Sequence, residues 1–156
     1  MINSIRLNVK GIVLSKLKRY EEALNYFDQA LELRPSYYSI LNNKGIALSK
    51  LGNYEGAINC YNKVLRFDPK YPHALSNKGE TLRKLGKYQE AMEYVDKALK
   101  INSKLPFIWL NKGETLMAMN RNEEAIKYID KSLELDPIFE SAIEVKEELL
   151  KLNRET

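Results

Sequence analysis

Side chains able to do covalent chemistry are few: His73 is the sole histidine and Cys60 the sole cysteine. A nucleophile needs a base held beside it, and a metal site needs more ligands than two. Neither residue sits in a recognisable motif, and no GxGxxG or GxxxxGKS/T phosphate loop occurs. The sequence therefore predicts no enzyme, no metal site and no cofactor. What recurs instead are recognition groups. Asn43, Asn77 and Asn111 follow one another at a constant interval, and an amide offers both a donor and an acceptor to a peptide main chain. Lys16, Lys50 and Lys84 recur at the same interval, joined by Arg83, and aligned cations suit an acidic segment or a free carboxylate. Each ladder has a plainer reading: amides bonded to the neighbouring helix, and lysines on a solvated face.

The elements that must position these groups follow from the same interval. Asn77-Lys78-Gly79 has copies at Val9-Lys10-Gly11, Asn43-Lys44-Gly45 and Asn111-Lys112-Gly113, evenly stepped along the chain. A fixed period of about 34 residues marks stacked helical hairpins. The units span 4–37, 38–71, 72–105 and 106–139, followed by a helix over 140–152. Numbering positions from Ser4, Tyr38, Pro72 and Pro106, position 8 holds Gly11, Gly45, Gly79 and Gly113, and position 20 holds Ala23, Ala57, Ala91 and Ala125. Both are small, as two closely approaching helices require. Position 4 (Leu7, Leu41, Leu75, Trp109) and position 11 (Leu14, Leu48, Leu82, Leu116) join position 8 on one helical face. Positions 20, 21, 24, 27 and 28 repeat the spacing in the second half, as in Ala57, Ile58, Tyr61, Val64 and Leu65.

Breakers set the ends. Gly52 and Gly86 can take the left-handed conformation that stops a helix, and Asn120 is the next best residue there; Lys18 at the same position predicts a less regular first turn. Pro35, Pro69 and Pro137 separate the units, with Ser103 interrupting the series, and Pro72 and Pro106 open helices where a missing N–H costs nothing. First helices are expected near 4–17, 37–50, 71–84 and 105–118, and second helices near 20–33, 54–67, 88–101 and 122–135. A ninth, from about Ile138 to Leu152, turns Glu140, Glu144, Glu147, Glu148 and Lys151 to water as a polar cap.

Composition bounds the class. No linker divides the 156 residues, which predicts a single domain over 1–156. A lone cysteine excludes an internal disulfide and fits a reducing compartment. Met1–Lys10 lacks an apolar signal core, and no run approaches the roughly 20 apolar residues of a membrane span, so a cytoplasmic protein is expected. The net charge of +4 is uneven: residues 4–105 carry 18 Lys/Arg against 10 Asp/Glu, and residues 106–156 carry 7 against 11. That asymmetry can orient a charged partner. A basic balance attracts phosphate, but the ten tyrosines are assigned mostly to packing positions such as Tyr20, Tyr54 and Tyr88, which disfavours nucleic acid.

In these positions the chain resembles the tetratricopeptide repeat (TPR) family: bulky at 4, small at 8, bulky at 11, Ala at 20, aromatic or bulky at 24, small at 27 and Pro at 32. The departures are Val64, Ser103 and the position-7 lysines Lys10, Lys44, Lys78 and Lys112, expected to lay their stems on the surface and expose their ammonium groups. The resemblance implies an all-α, right-handed solenoid of four units and a capping helix. It also implies a concave groove lined by positions 2, 5, 6, 9, 12 and 13 of the first helices. Candidate peptide-binding residues are then Asn8, Lys16, Asn42, Asn43, Lys50, His73, Asn77, Arg83, Lys84, Phe107, Leu110, Asn111, Glu114 and Met117. The partner expected is a protein or peptide segment, acidic where it meets the lysines, with an apolar anchor at Phe107, Leu110 and Met117. The family's chaperone-binding members grip a C-terminal carboxylate with a clamp of Lys, Asn, Asn, Lys and Arg. Those slots here hold Asn8, Ile12, Asn43, His73 and Asn77, so only Asn43 matches and no such clamp is expected. A sticky face carrying Ile2, Ile5 and Val9 on the first helix suggests homo-oligomer assembly as the alternative.

Overall fold

A computed structural model describes residues 2–155, with side chains from residue 3 to residue 152. Among these residues the chain forms nine helices and no strand: α1 (Ile2–Lys16), α2 (Tyr20–Leu33), α3 (Tyr38–Lys50), α4 (Tyr54–Phe67), α5 (Pro72–Lys84), α6 (Tyr88–Ile101), α7 (Pro106–Ala118), α8 (Asn122–Leu135) and α9 (Glu140–Glu155). No helix among them is long and apolar enough to cross a membrane. The four second helices fall where the spacing places them. Helices α3, α5 and α7 start one residue later than expected, because Tyr37, Tyr71 and Leu105 are extended N-caps. Helix α1 starts early, its first turn tied down by buried Ser4, whose Oγ donates to the Ala30 carbonyl at 3.0 Å. Helix α9 starts late, leaving Ile138 83% exposed in the preceding turn.

The hairpin turns are more uniform than the sequence suggests. Gly52 and Gly86 have φ of +81° and +75°, and Asn120 and Lys18 reach +58° and +59°. In all four, the residue after the left-handed one donates back across the turn: Arg19, Asn53, Lys87 and Arg121 N–H to the carbonyls of Leu14, Leu48, Leu82 and Leu116, each at 2.9 Å. This is the Schellman closure. Lys18 thus adopts the regular conformation, contrary to expectation, and its side chain carries the local steric cost that glycine avoids.

Packing runs along the chain, each helix against the next, and the first helices α3, α5, α7 and α9 also meet one another in series. Inside each hairpin a glycine faces a large side chain. A Cβ on Gly45 would lie 2.6 Å from the Tyr61 ring, on Gly79 2.7 Å from Val95, and on Gly113 2.6 Å from Ile129; on Gly11 it would collide with Phe27. Ala23, Ala57, Ala91 and Ala125 are fully buried. Between hairpins the volumes compensate: small Ala30 packs in the cluster holding Ile40, bulky Val64 in the one holding Ala74, and Ala98 in the one holding Ile108. The departure at Val64 is therefore matched by alanine across the interface. Trp109, where leucine stands in the other units, stacks on Tyr128 at 6.0 Å and donates from Nε1 to the Ser103 carbonyl at 2.7 Å. Its indole holds the linker that lacks the recurrent proline.

Two stability changes of opposite sign are expected. Gly79→Leu drives a side chain into Val95 and should destabilise by about 1–3 kcal/mol, read as a lower midpoint in thermal unfolding followed by circular dichroism. Lys18→Gly relieves the left-handed strain and should raise stability by about 0.5–1 kcal/mol in the same measurement.

Candidate functional site

The first helices bring their inner faces together along one side of the solenoid. A cavity of about 430 Å³ is lined by Asn42, Asn43, Ile46, Lys50, His73, Asn77, Glu80, Phe107, Leu110, Asn111 and Glu114, with Phe139, Ser141 and Val145 from α9 and the turn before it. A second, of about 250 Å³, lies toward the N-terminal end against Ile12, Ser15, Lys16 and Tyr20 and shares Asn43, Ile46 and Lys50 with the first. Most of the candidate residues therefore line the larger cavity, and Lys16 the smaller one. Asn8, Arg83 and Lys84 sit beside the cavities without lining them. Met117 packs into the core cluster of α7, α8 and α9.

The asparagine ladder is clasped between hairpins. Asn43 Nδ2 donates to Asn8 Oδ1 at 3.1 Å and Asn77 Nδ2 to Asn42 Oδ1 at 3.1 Å. Asn111 Nδ2 donates to Ser76 Oγ at 2.7 Å. Each bond joins one first helix to the preceding one, so these amides register the stack, and Asn42 and Asn111 are buried. Asn43 and Asn77 each commit one N–H and are half-buried where they line the cavity, whereas Asn111 also reaches the Ser76 carbonyl at 3.4 Å.

The cation ladder is not free either. Glu80 lies 3.0 Å from Lys84 Nζ and 3.6 Å from Lys50 Nζ, and Arg83 lies 3.2 Å from Glu114. Burial pushes the Glu80 carboxyl up, but Lys84, Lys50 and Arg83 together outweigh it and hold it below the ordinary range. Glu114 has one close cation, and burial keeps its carboxyl above that range. Lys16 makes no ion pair among the described residues, and Lys50 and Lys84 share the single carboxylate of Glu80, so the groove keeps a net positive charge.

On the opposite side, Lys10 is exposed as expected, but the later position-7 lysines Lys44, Lys78 and Lys112, and Lys146 at the matching place in α9, turn their ammonium groups to partners. Lys44 binds Asp28, Lys78 donates to Asn62 Oδ1 at 2.7 Å, Lys112 pairs with Asp96 at 2.8 Å and Lys146 with Asp130 at 2.7 Å. Tyr94 and Tyr128 lie under Lys78 and Lys112 at 4.1 and 4.5 Å. These lysines staple each first helix to the preceding hairpin. The signal for it was the recurrence of Asp28, Asn62, Asp96 and Asp130 at one position of successive units.

Reading by position also missed an aromatic run along the groove's edge, at the N-terminal ends of α3, α5 and α7. Its rings succeed one another from Tyr37 to Tyr38, Tyr71, His73 and Phe107, with centroids 6.3, 5.7, 5.4 and 5.1 Å apart. His73 is thus a ring among rings. Burial lowers its pKa, and its Nδ1 has no hydrogen-bond partner. Cys60 is buried in α4, where burial raises its thiol pKa. Among the described residues no hydrogen bond joins Cys60 and His73.

Residues 2–70 match the family described as tetratricopeptide repeat, and residues 50–132 match the one described as anaphase-promoting complex, cyclosome, subunit 3. This chain belongs to the TPR proteins. No curated protein matches it. Solved structures similar to it include the first TPR of Spaghetti (RPAP3) bound to the HSP90 peptide SRMEEVD, 26% identical, with a TM-score of 0.66 over 75% of this chain and 93% of that one. Pseudomonas aeruginosa pilF is 23% identical, with a TM-score of 0.80 over 98% of this chain and 70% of that one. A Parabacteroides merdae tetratricopeptide repeat protein is 24% identical, with a TM-score of 0.75 over 95% of this chain and 58% of that one. The last two likenesses show the fold alone.

His73 gives the site a pH signature. Its pKa is lower in the folded chain, so the unfolded chain binds the proton more readily, and stability falls as pH drops below about 6.5. Glu114, raised by burial, works in the opposite sense at lower pH. The melting-point advantage of wild type over His73→Phe should therefore shrink, or reverse, between pH 8 and pH 5.5. A difference constant across that range would show that His73 does not titrate against folding.

Proposed function

We propose that this TPR protein is a non-enzymatic interaction scaffold that holds a partner segment in the groove of its first helices. TPR repeats are generally protein-interaction modules, and the Spaghetti domain is solved with a peptide. The observation that carries the reading for this chain is the pair of adjoining cavities with different chemistry at their ends. At one end Lys16 presents a charge unpaired among the described residues, Lys50 stands where the two cavities meet, and Phe107, Phe139 and Val145 present apolar surface at the other end. A segment with acidic residues at its first end and an apolar side chain at its second complements both. A chaperone tail held by a carboxylate clamp does not fit this proposal, since His73 occupies a slot that needs a lysine and its pKa is lowered by burial.

The experiment is affinity capture from native lysate with wild type and Lys16→Glu/Lys50→Glu/Phe107→Ala, after circular dichroism shows both equally folded. Asn43 and Asn77 stay untouched because they hold the stack together. Proteins retained by wild type and lost by the variant support the groove and name the partner. Identical sets, or none, count against it.

A second reading, assembly through α1, is favoured by one observation. Ile5, Val9 and Leu33 are each about half exposed and line a cavity of about 620 Å³ beside Arg6 and Lys10. Among the described residues Lys10 faces the Tyr26 ring at 5.4 Å and has no acidic partner of the kind Lys44, Lys112 and Lys146 have. A single monomeric species in sedimentation at high concentration argues against it.

A further inference from the structure

Helix α1 shows a side that the later first helices bury. Arg6 and Val13 hold its positions 3 and 10, where the next three units carry Ile40, Ala74 and Ile108, and Ala47, Thr81 and Thr115. Those six are fully buried, whereas Val13 is 51% exposed and Arg6 is exposed. Ile5 and Val9 continue the same side toward the N-terminus, one helical turn apart and both exposed. Helix α9 is bare on another side. Ile143, Glu147 and Leu150 hold its positions 4, 8 and 11, the face that earlier first helices lay against the second helix of their own hairpin, and all three are exposed. Each bare face is therefore one that a neighbouring helix covers elsewhere in the solenoid. We propose that α1 of one copy of this chain docks on α9 of a second copy, head to tail, an inference that rests on the α1 assembly reading above and names the surface α1 meets.

Charge selects the occupant. Helix α1 carries Arg6, Lys10 and Lys16 and no acidic residue. Over residues 140–152, α9 carries Glu140, Glu144, Glu147 and Glu148 against Lys146 and Lys151, and Lys146 is taken by Asp130. Among the described residues none of those glutamates makes an ion pair, and neither do Arg6 and Lys10. Pairing α1 with α1 sets cation against cation, and pairing α9 with α9 sets carboxylate against carboxylate. Like charges across an interface are costly, so only the mixed pair is complementary. In it, Ile5, Val9 and Val13 cover Ile143 and Leu150, while Arg6 and Lys10 meet Glu144 and Glu147. Lys10 thereby gains the kind of partner that Lys44 and Lys112 find on the preceding hairpin. One helix from each copy makes a small interface, at the weak and transient end of the size range. The contact joins different faces of the two copies, so it adds copies in a row and does not close at a dimer.

Sedimentation equilibrium over a concentration series, at low and at high salt, tests this with wild type, Arg6→Glu/Lys10→Glu and Glu144→Lys/Glu147→Lys. Circular dichroism first shows each variant folded; if one is not, the corresponding glutamine pair replaces it, with association weakened in the same direction. Wild type should gain average mass with concentration and pass the dimer without a plateau, and high salt should weaken the association. Either reversal alone should weaken it by about tenfold or more. An equimolar mixture of the two reversed variants should associate again, because acidic α1 then meets basic α9 and the native faces meet each other. Loss of association in each variant without recovery in the mixture overturns the inference. Association that depends on Arg6 and Lys10 but ignores the α9 reversal, or that stops at a dimer, also overturns it and leaves the α1 assembly reading standing. A monomer at every concentration, or association indifferent to both reversals, overturns both.

Discussion

Each hairpin closes at one spot where a glycine of the first helix meets a large side chain of the second. Gly45 against Tyr61, Gly79 against Val95 and Gly113 against Ile129 leave no room for a Cβ. That contact sets the distance between the two helices, and the left-handed turns at Lys18, Gly52, Gly86 and Asn120 set where the chain reverses. Everything else rides on this spacing. Because hairpins pack with compensating volumes, as Val64 does with Ala74, the step from one unit to the next stays regular although the residues differ.

Apolar packing is non-directional and leaves neighbouring hairpins some freedom to slide. Hydrogen bonds and ion pairs remove it. On the inner side, Asn43, Asn77 and Asn111 reach the preceding first helix; on the other, Lys44, Lys78, Lys112 and Lys146 reach the preceding second helix. Two polar ladders on opposite sides of an apolar seam resist rotation about it. The individual bonds are modest, about 1 kcal/mol each, but each is directional and fixes one helix against the hairpin before it.

The groove's chemistry follows from what those ladders consume. Amides and lysines that look available in isolation are largely committed to the scaffold, and Glu80 and Glu114 neutralise much of the remaining positive charge. Outside those pairings the groove carries Lys16 at one end, apolar surface around Phe107 and Phe139 at the other, and the aromatic run from Tyr37 to Phe107 along its edge.

How much of this was legible depends on the range of the interaction. The helices, the packing glycines and the reversals at Gly52 and Gly86 were readable because each is a local demand repeated from unit to unit. Lys18 was misread because the geometry of the closed hairpin imposes a left-handed residue whatever its side chain. The asparagine clasps stood only as one of two open readings, and the lysine staples and the aromatic run went unread, for a different reason. They join residues 16 or 35 positions apart, or rings from successive hairpins. Such pairs meet only after the hairpins have taken their relative rotation. Periodicity along the chain says which residues share a helical face; which faces then touch is set by how the helices pack in three dimensions.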